Sequence, residues 1–234
     1  MNSLFKAITL ILISALPLQY CVNTNGNRKA ENLNNDSALA LLEAVSDGDT
    51  NLVTEILGTD PDLEITDGYG RTPLMIATYN ADNKIAEMLI AAGSNVNAQD
   101  KKLNTPFLYA GASGNLPILK MSIANGADFE IYNRYGGTAL IPAAEKGHLE
   151  AVKLLTEIPD YPIDHINILG WTALLEAIIL SEEGETQIAI VRTLVEAGSD
   201  VNIPDKDGIT PLEHAKNRSM DKIVGILSKT AANN

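Results

Sequence analysis

The sequence contains almost no cysteine and few aromatic residues. Cys21 is the only cysteine among 234 residues, so one chain can form no disulfide, no cysteine-based zinc site and no paired-cysteine redox motif. Aromatic residues make up 5% of the chain, with Trp171 as the single tryptophan. Because crosslinks are excluded and 45% of the residues are apolar, packing must hold the fold together.

Positive charge is also scarce. The chain has 17 Lys and Arg residues against 30 Asp and Glu residues, which gives a net charge of −13. Non-specific binding to nucleic acids needs cations that displace counterions from phosphates, and attraction to an anionic lipid surface needs them too. We therefore expect neither nucleic acid nor an anionic membrane surface as a partner.

The sequence contains no recognisable catalytic motif. The three histidines never pair at i and i+4, and neither a glycine-rich phosphate loop nor a Gly-x-Ser-x-Gly turn occurs. The segment 205–208 is similar to the start of a calcium loop, but Lys216 stands where such a loop requires a glutamate. We predict a protein that is not an enzyme and that needs no metal and no cofactor.

The first 21 residues are typical of a secretory signal. Lys6 is the only charged side chain before an apolar run over 7–16, which Pro17 ends. This run has the length of a signal-peptide core and falls short of the ~20 residues of a transmembrane helix. A retained membrane anchor and a buried helix remain as alternatives.

Cys21 follows this segment directly. The sequence Leu18-Gln19-Tyr20-Cys21 resembles a bacterial lipobox, in which the cysteine is lipidated and becomes the new N-terminus, although lipoboxes usually carry a small residue in place of Tyr20. A cysteine without a role is the alternative. The asparagine-rich segment 22–36 is predicted to be a flexible polar linker. These features predict an exported protein, periplasmic or anchored to the outer membrane as a lipoprotein, with secretion as the alternative.

The remainder of the chain is an internal repeat. A tripeptide Thr-Pro-Leu, or a close variant, recurs with spacings of 33, 33, 34 and 38 residues. Alanine stands five residues after each threonine, and Asp or Asn stands five residues before it. The five threonines are Thr72, Thr105, Thr138, Thr172 and Thr210.

This pattern resembles the ankyrin repeat, whose period is 33 residues and whose signature is Thr-Pro-Leu-His-x-Ala. The segment 147–155, Gly-His-Leu-Glu-Ala-Val-Lys-Leu-Leu, is similar to the family's turn between helices, and a degenerate unit around Leu39 is in the same phase. The resemblance implies an all-α solenoid of about six helix-turn-helix units joined by β-hairpin-like loops. The expected units are 37–66 (unit 1), 67–99 (unit 2), 100–132 (unit 3), 133–166 (unit 4), 167–204 (unit 5) and 205–230 (unit 6).

Elementary helix chemistry agrees with this assignment. A threonine hydroxyl can cap a helix, and a proline at the next position is preset for the first turn. Glycine favours the left-handed conformation that ends many helices. We therefore expect each repeated threonine to cap the first helix of its unit. The second helices of units 1, 2, 3 and 5 should end at Gly58, Gly93, Gly126 and Gly198.

The chain departs from the family pattern in several places. The histidine of the signature is absent from all five units, and unit 4 has Ile158-Pro159-Asp160-Tyr161-Pro162 where a glycine normally ends the helix. Unit 5 carries about five additional residues within 181–186, and Ser122 stands where an apolar residue is usual. We expect the middle of the array to be its weakest part.

The resemblance implies where a partner would bind. Ankyrin proteins grip partners with hairpin tips and the exposed face of the first helix, at positions −4, −3, −1, +7 and +8 relative to each threonine. Across units 2 to 6 these positions hold seven Lys or Arg residues and two acidic ones, and in unit 5 all five are apolar. The predicted contact residues are Tyr69, Arg71, Tyr79, Lys101, Lys102, Arg134, Tyr135, Ile168, Leu169, Trp171, Ile179, Leu180 and Ile209.

Together these observations predict a monomeric protein-interaction module of the cell envelope that binds a partner protein without turnover. Two more specific interpretations stay open. The protein could block an exported enzyme or toxin, as an inhibitor or immunity protein does, or it could stabilise a periplasmic enzyme as a scaffold.

Overall fold

The computed structural model describes residues 24–231, with side chains from 36 to 230. Twelve α-helices and no strand lie within this range. In chain order the helices are α1 (Thr24–Asp47), α2 (Thr50–Leu57), α3 (Pro73–Tyr79), α4 (Asn83–Ala91), α5 (Pro106–Ser113), α6 (Leu116–Ala124), α7 (Leu140–Glu145), α8 (Leu149–Thr156), α9 (Ala173–Ile179), α10 (Glu185–Glu196), α11 (Pro211–Asn217) and α12 (Asp221–Ala231).

The helices pack as six pairs in two layers. The first helices of successive units contact one another in series from α1 to α11, and the second helices do the same from α2 to α12. One continuous hydrophobic cluster extends through all units, from Leu41 in α1 to Leu227 in α12. Because each helix pair buries its apolar face only against its neighbours, the array is stabilised by stacking. The predicted ankyrin-type solenoid is confirmed.

Four of the five repeated threonines cap the first helix of their unit. The hydroxyls of Thr72, Thr105, Thr172 and Thr210 each accept a hydrogen bond from the backbone N–H three residues later. In unit 6 Glu213 completes a capping box with Thr210.

Thr138 does not cap, and this prediction was wrong. Its hydroxyl is buried without a hydrogen-bond partner, and α7 begins two residues later, at Leu140. Pro142 explains the difference, because it has no N–H to donate to the Thr138 carbonyl four residues earlier and its ring crowds that carbonyl. The helical turn that would bring the Thr138 hydroxyl to the backbone N–H three residues later is therefore not formed.

The second helices end with the predicted left-handed glycine in three of four units. Gly93, Gly126 and Gly198 have positive φ angles of 102°, 82° and 96°. Helix α2 also ends at Gly58, which is its C-cap, but Gly58 has a φ of −66°, so only the left-handed conformation predicted there was wrong. After the second helix, the residue with a left-handed conformation is Asp60 in unit 1 and Asp160 in unit 4, which lacks the glycine. Aspartate tolerates this conformation better than most side chains do.

The N-terminal predictions fall largely outside the described part of the chain. The predicted signal peptide 1–21 and Cys21 lie outside it. Helix α1 begins at Thr24, inside the segment 22–36 that we predicted to be a linker. Lys29, Ala30 and Glu31 are good helix formers, and a helix that is already packed further along the chain extends cooperatively. None of the described helices is long and apolar enough to cross a membrane.

The insertion of unit 5 and Gln187, which follows it directly, connect three units. Nε2 of the buried Gln187 donates to the carbonyls of Ala144 and Ala177, at 3.1 and 2.8 Å, which lie in units 4 and 5. A carboxylate oxygen of Glu183 accepts the backbone N–H groups of Lys222 and Ile223 at 3.0 Å. Glu183 therefore caps helix α12 of the following unit.

Candidate functional site

Five loop tips, one in each of units 2 to 6, share one backbone construction. In each tip the N–H of the first residue donates to the carbonyl of the fifth, as in Asp67 to Arg71 at 3.1 Å and Asn167 to Trp171 at 3.1 Å. Neighbouring tips are also joined, because the Lys101 N–H donates to the Tyr69 carbonyl and the Ile168 N–H to the Tyr135 carbonyl. The tips form a ridge along the array, in which these bonds join the tips of units 2 and 3 and those of units 4 and 5.

The first residue of each tip turns its side chain back into the loop. Asp100 accepts the N–H groups of Lys102 and Asn104 and, at 2.7 Å, the hydroxyl of Tyr79. Burial, followed by this bond to Asp100, raises the pKa of Tyr79 to about 12. The carboxylate of Asp100 therefore holds the loop through these hydrogen bonds and is not directed at a partner.

Asp67 and Asp205 are held in the same way. Asp67 receives the side chain of Arg71 at 2.6 Å, and although burial opposes the change, the bonds from Arg71 lower the pKa of Asp67. Asp205 accepts the N–H of Ile209 and lies 2.7 Å from Nε2 of His214. The Ile209 bond is the largest of the contributions that lower the pKa of Asp205.

A groove of about 620 Å³ opens between the ridge of tips and the first helices of units 3 to 5, with Tyr79 at its edge. The tips contribute Lys102, Arg134, Tyr135, Asn167, Leu169 and Trp171. The helices and their C-terminal caps contribute Tyr109, Pro142, Glu145, Lys146, Glu176 and Leu180.

Aromatic rings and cations meet in this groove. The rings of Tyr79 and Tyr109 lie 4.1 Å apart. The guanidinium carbon of Arg134 stands 4.7 Å from the centre of the Tyr135 ring, and Nζ of Lys102 stands 6.0 Å from that of Tyr79. These distances are typical of cation–π contacts.

One carboxyl group lies at the unit 5 end of the groove. Glu176 is only 6% exposed, and its Oε1 accepts Nδ2 of Asn167 at 2.8 Å. Burial raises the pKa of Glu176 from 4.5 to about 7; Glu145 acts in the same direction, while Asn167 and Lys146 oppose it. Near neutral pH this carboxyl group is therefore partly protonated.

The structure brings seven of the predicted contact residues to the groove and places six elsewhere. Those on the groove are Tyr79, Lys102, Arg134, Tyr135, Leu169, Trp171 and Leu180. Ile179 is half-buried beside Leu180 and does not line the groove. The others stand along the tips outside it and are Tyr69, Arg71, Lys101, Ile168 and Ile209.

Sequence reasoning missed one position of the first helices. Tyr109, Pro142 and Glu176 line the groove, and each stands four residues after the repeated threonine of its unit. On an α-helix, position +4 shares a face with +7 and +8, both of which were predicted. Helical periodicity was therefore the signal that could have found these residues.

Within the described range, no cluster of three or more His, Cys, Asp or Glu side chains could hold a metal ion. The histidines have neighbours that explain them. His214 bonds Asp205, His165 stacks on Tyr132 and bonds the carbonyl of Gly136, and His148 precedes α8. His214 and His165 therefore make structural contacts, and the ring of His148 lies beside Gly114.

Comparisons with known proteins identify the repeat. A family profile for ankyrin repeats matches three overlapping stretches of the chain, 12–100, 41–131 and 107–205. The ankyrin repeat protein YahD of Escherichia coli (strain K12) is 41% identical over 81 residues, which are 35% of this chain. The match spans 40% of the length of that relative.

Solved structures extend the similarity to most of the chain, each covering 82% of it. An ankyrin repeat domain from Acinetobacter baumannii AYE is 46% identical, with a TM-score of 0.79 and 97% of its own chain covered. The ankyrin repeat protein EF0377 is 43% identical, with a TM-score of 0.80 and 98% covered. The ankyrin repeat domain of Bcl-3, a member of the IkappaB family, is 25% identical, with a TM-score of 0.73 and 85% covered.

Ankyrin repeats are protein–protein interaction modules, and the fold is generally non-catalytic. The family profile, the relative and the solved structures all identify the repeat described above as an ankyrin repeat. The chain belongs to the ankyrin-repeat family.

Proposed function

We propose that this protein is a non-enzymatic binding protein of the cell envelope that holds a partner protein in the groove and along the adjoining tips. The observation that carries the proposal is the groove itself, where aromatic rings from four units, Arg134 and Lys102 meet in a space of about 620 Å³. Aromatic residues and arginine dominate the energetics of protein interfaces.

The distribution of exposed apolar side chains also indicates that the groove and the adjoining tips are the binding face. Nine large hydrophobic side chains are exposed among the described residues, and five of them belong to the predicted contact set. Exposed apolar clusters mark interaction sites more often than scattered single residues do. The five are Tyr69, Tyr135, Ile168, Leu169 and Leu180.

The location is proposed from the first 21 residues. A leader that ends at Cys21 supports export to the periplasm or the outer membrane, with the lipid on Cys21 as the anchor and secretion as the alternative. Mass spectrometry of the mature N-terminus tests this part. A lipid mass on Cys21 is expected, whereas a free Cys21 or a start beyond it would exclude the lipoprotein.

Paired substitutions test the contact surface. The full-length protein is used to isolate a partner from envelope extract, and the affinity of the purified pair is then measured. Leu169→Ala with Trp171→Ala should weaken binding at least about a hundredfold, as expected for two interface anchors. The control is Leu39→Ala with Leu52→Ala, two exposed apolar residues of unit 1, which should change affinity less than about threefold. Equal affinity of both double variants would remove the groove as the contact site.

The effect on the partner distinguishes the two specific roles. An inhibitor or immunity protein should abolish the activity of the isolated partner when added in equal amount. A scaffold should leave that activity intact and raise the temperature at which the partner unfolds, because it binds only the folded form.

A further inference from the structure

Three cations line the groove: Lys102 and Arg134 on the tips, and Lys146, whose Nζ bonds the carbonyl of Ala112. The two on the tips differ from most of the other cations there. Arg71 is paired with Asp67, and Nζ of Lys101 and of Lys206 bonds a backbone carbonyl of the neighbouring tip. Lys102 and Arg134 are exposed, and neither forms an ion pair with any residue that the structure describes. Their contacts are the faces of tyrosine rings, which leave the N–H donors available.

None of the acidic residues at the base of the tips lines the groove, where the tips of units 4 and 5 contribute the neutral Asn133 and Asn167. Asp67, Asp100 and Asp205 each accept backbone N–H groups and one further side chain within their own unit or the unit beside it. Inside the groove the carboxyl groups are Glu145 and the partly protonated Glu176. A protein with a net charge of −13 therefore presents a groove in which cations outnumber ionised carboxylates near neutral pH.

From this arrangement, and on the basis of the proposed function, we infer that the groove receives an acidic, apolar segment of the partner protein. An aspartate or glutamate of that segment bonds Arg134 and Lys102, and an aliphatic or aromatic side chain beside it packs on Trp171, Leu169 and Leu180. The planar guanidinium of Arg134 suits a carboxylate because it can donate two parallel hydrogen bonds.

The two ends of the groove differ in what they accept, and this sets the direction of the segment. Lys102 and Arg134 belong to the tips of units 3 and 4, whereas Trp171, Glu176 and Leu180 belong to unit 5. Around Glu176 the groove holds two carboxyl groups, those of Glu176 and Glu145, against one cation, Lys146, whose Nζ already bonds the carbonyl of Ala112. A second carboxylate is therefore disfavoured there. The acidic residue of the partner therefore lies toward unit 3 and the apolar residue toward unit 5.

Trp171 provides a direct assay. It is the only tryptophan in the chain and it lines the groove, so its fluorescence reports occupancy. The full-length protein would select binders from a display library of short linear peptides. Enriched peptides should contain Asp or Glu next to aliphatic or aromatic residues, and the best of them should shift the Trp171 emission on titration.

Two sets of variants test the charge contact with that peptide. Replacing its Asp or Glu by Asn or Gln should weaken binding at least about tenfold, and so should Arg134→Ala or Lys102→Ala in the protein. The matched control is Lys120→Ala, an exposed lysine on α6 outside the groove, which should leave the affinity unchanged. Binding should also weaken as salt is added.

The outcomes separate this inference from the proposed function. Selected peptides that are basic or uncharged, with a Trp171 signal insensitive to Arg134→Ala, would overturn the acidic segment while leaving the groove as a binding site. If Arg134→Ala loses affinity for the partner and Arg134→Lys recovers none of that affinity, the charge contact is overturned as well. An unchanged affinity in the Leu169 and Trp171 double variant would instead remove the groove, and the inference with it.

Discussion

The amide of Asn167 donates a 2.8 Å hydrogen bond to Oε1 of Glu176, nine residues further along the chain. In unit 6 the corresponding residues are Asp205 and His214, which are joined at 2.7 Å. Two chemically different pairs therefore connect a loop tip to the first helix at the same place in the repeat. In unit 5 this connection leaves a nearly buried carboxyl group beside the groove.

Glu176 should make the protein less stable as pH rises. Its pKa is raised in the folded chain, so the protonated form is favoured there, and the stabilisation is complete below the unfolded value of 4.5 and is lost as pH rises through about 7. Gln keeps the acceptor for Asn167 without the charge. Glu176→Gln should therefore raise the free energy of unfolding by on the order of 2 kcal/mol at about pH 8 and by much less at about pH 5.

Urea unfolding of both proteins across this pH range checks the prediction. Glu145, Lys146 and Asn167 also affect the titration of Glu176, and they are present in both proteins. Glu196→Gln, at an exposed carboxyl on α10, serves as the control and should show no such trend. A constant difference between wild type and Glu176→Gln at all pH values would contradict the prediction.

Two helical glycines should respond to alanine with opposite signs. A Cβ on Gly111 in α5 would lie 2.7 Å from the Cβ of Ala139 and 2.9 Å from its carbonyl oxygen, whereas a Cβ on Gly225 in α12 would meet nothing within 4 Å. Gly111→Ala should cost about 1–3 kcal/mol by overpacking. Gly225→Ala should stabilise by up to about 1 kcal/mol. Denaturant midpoints measure both. A stabilised Gly111→Ala would contradict the close approach at Gly111, and a destabilised Gly225→Ala would contradict the open space at Gly225.

Leu103 occupies a left-handed position in the tip of unit 3. Its φ is 58°, and the other four tips have a glycine at the corresponding position, with φ between 64° and 88°. Leu103→Gly should stabilise the protein by about 1 kcal/mol, because a Cβ is unfavourable in this conformation. Leu103→Ala retains the Cβ and should bring no gain. Equal thermal midpoints for the Gly and Ala variants would show that backbone strain is not the cause.

The cap that Glu183 provides for α12 should be measurable against its neighbour. Glu183→Ala removes the acceptor for two backbone N–H groups and should cost about 1 kcal/mol. The side chain of Glu182 is 99% exposed, and its ion pair with Arg218 is long, at 3.6 Å. Glu182→Ala should therefore change stability by less than about 0.5 kcal/mol. Thermal unfolding of the two variants measures both changes. Similar losses of stability in the two would contradict the role of Glu183 as the cap of α12.

The repeat was predictable because one phase, carried by five threonines, fixes to within two residues where the helix pairs of units 2 to 6 begin. The local failures have local causes that the pattern does not contain. Thr138 has the expected residue type but loses its cap to Pro142, and Gly58 leaves the left-handed position to Asp60. Pro142 accounts for the change at Thr138, whereas in unit 1 the left-handed turn falls two residues after a glycine that fitted the repeat.

The groove was predicted in part. Positions on the tips could be read from the family pattern, and these included Arg134, Tyr135 and Trp171. Glu176 could be placed on the correct helix face by periodicity, but its near burial depends on how closely α7 and α9 pack. The sequestration of Asp100 by Tyr79 of the preceding unit likewise depends on stacking between units, which composition does not reveal.

The residues around the insertion restrict how this gene can have gained or lost repeats. An array whose units meet through equivalent contacts can be lengthened by duplication, since each new unit finds the neighbours it needs. Gln187 requires the ends of α7 and α9 together, and Glu183 requires the start of α12. Deleting or reordering any one of units 4 to 6 would therefore leave Gln187 or Glu183 without its partners, a loss that does not arise where neighbouring units meet through equivalent contacts.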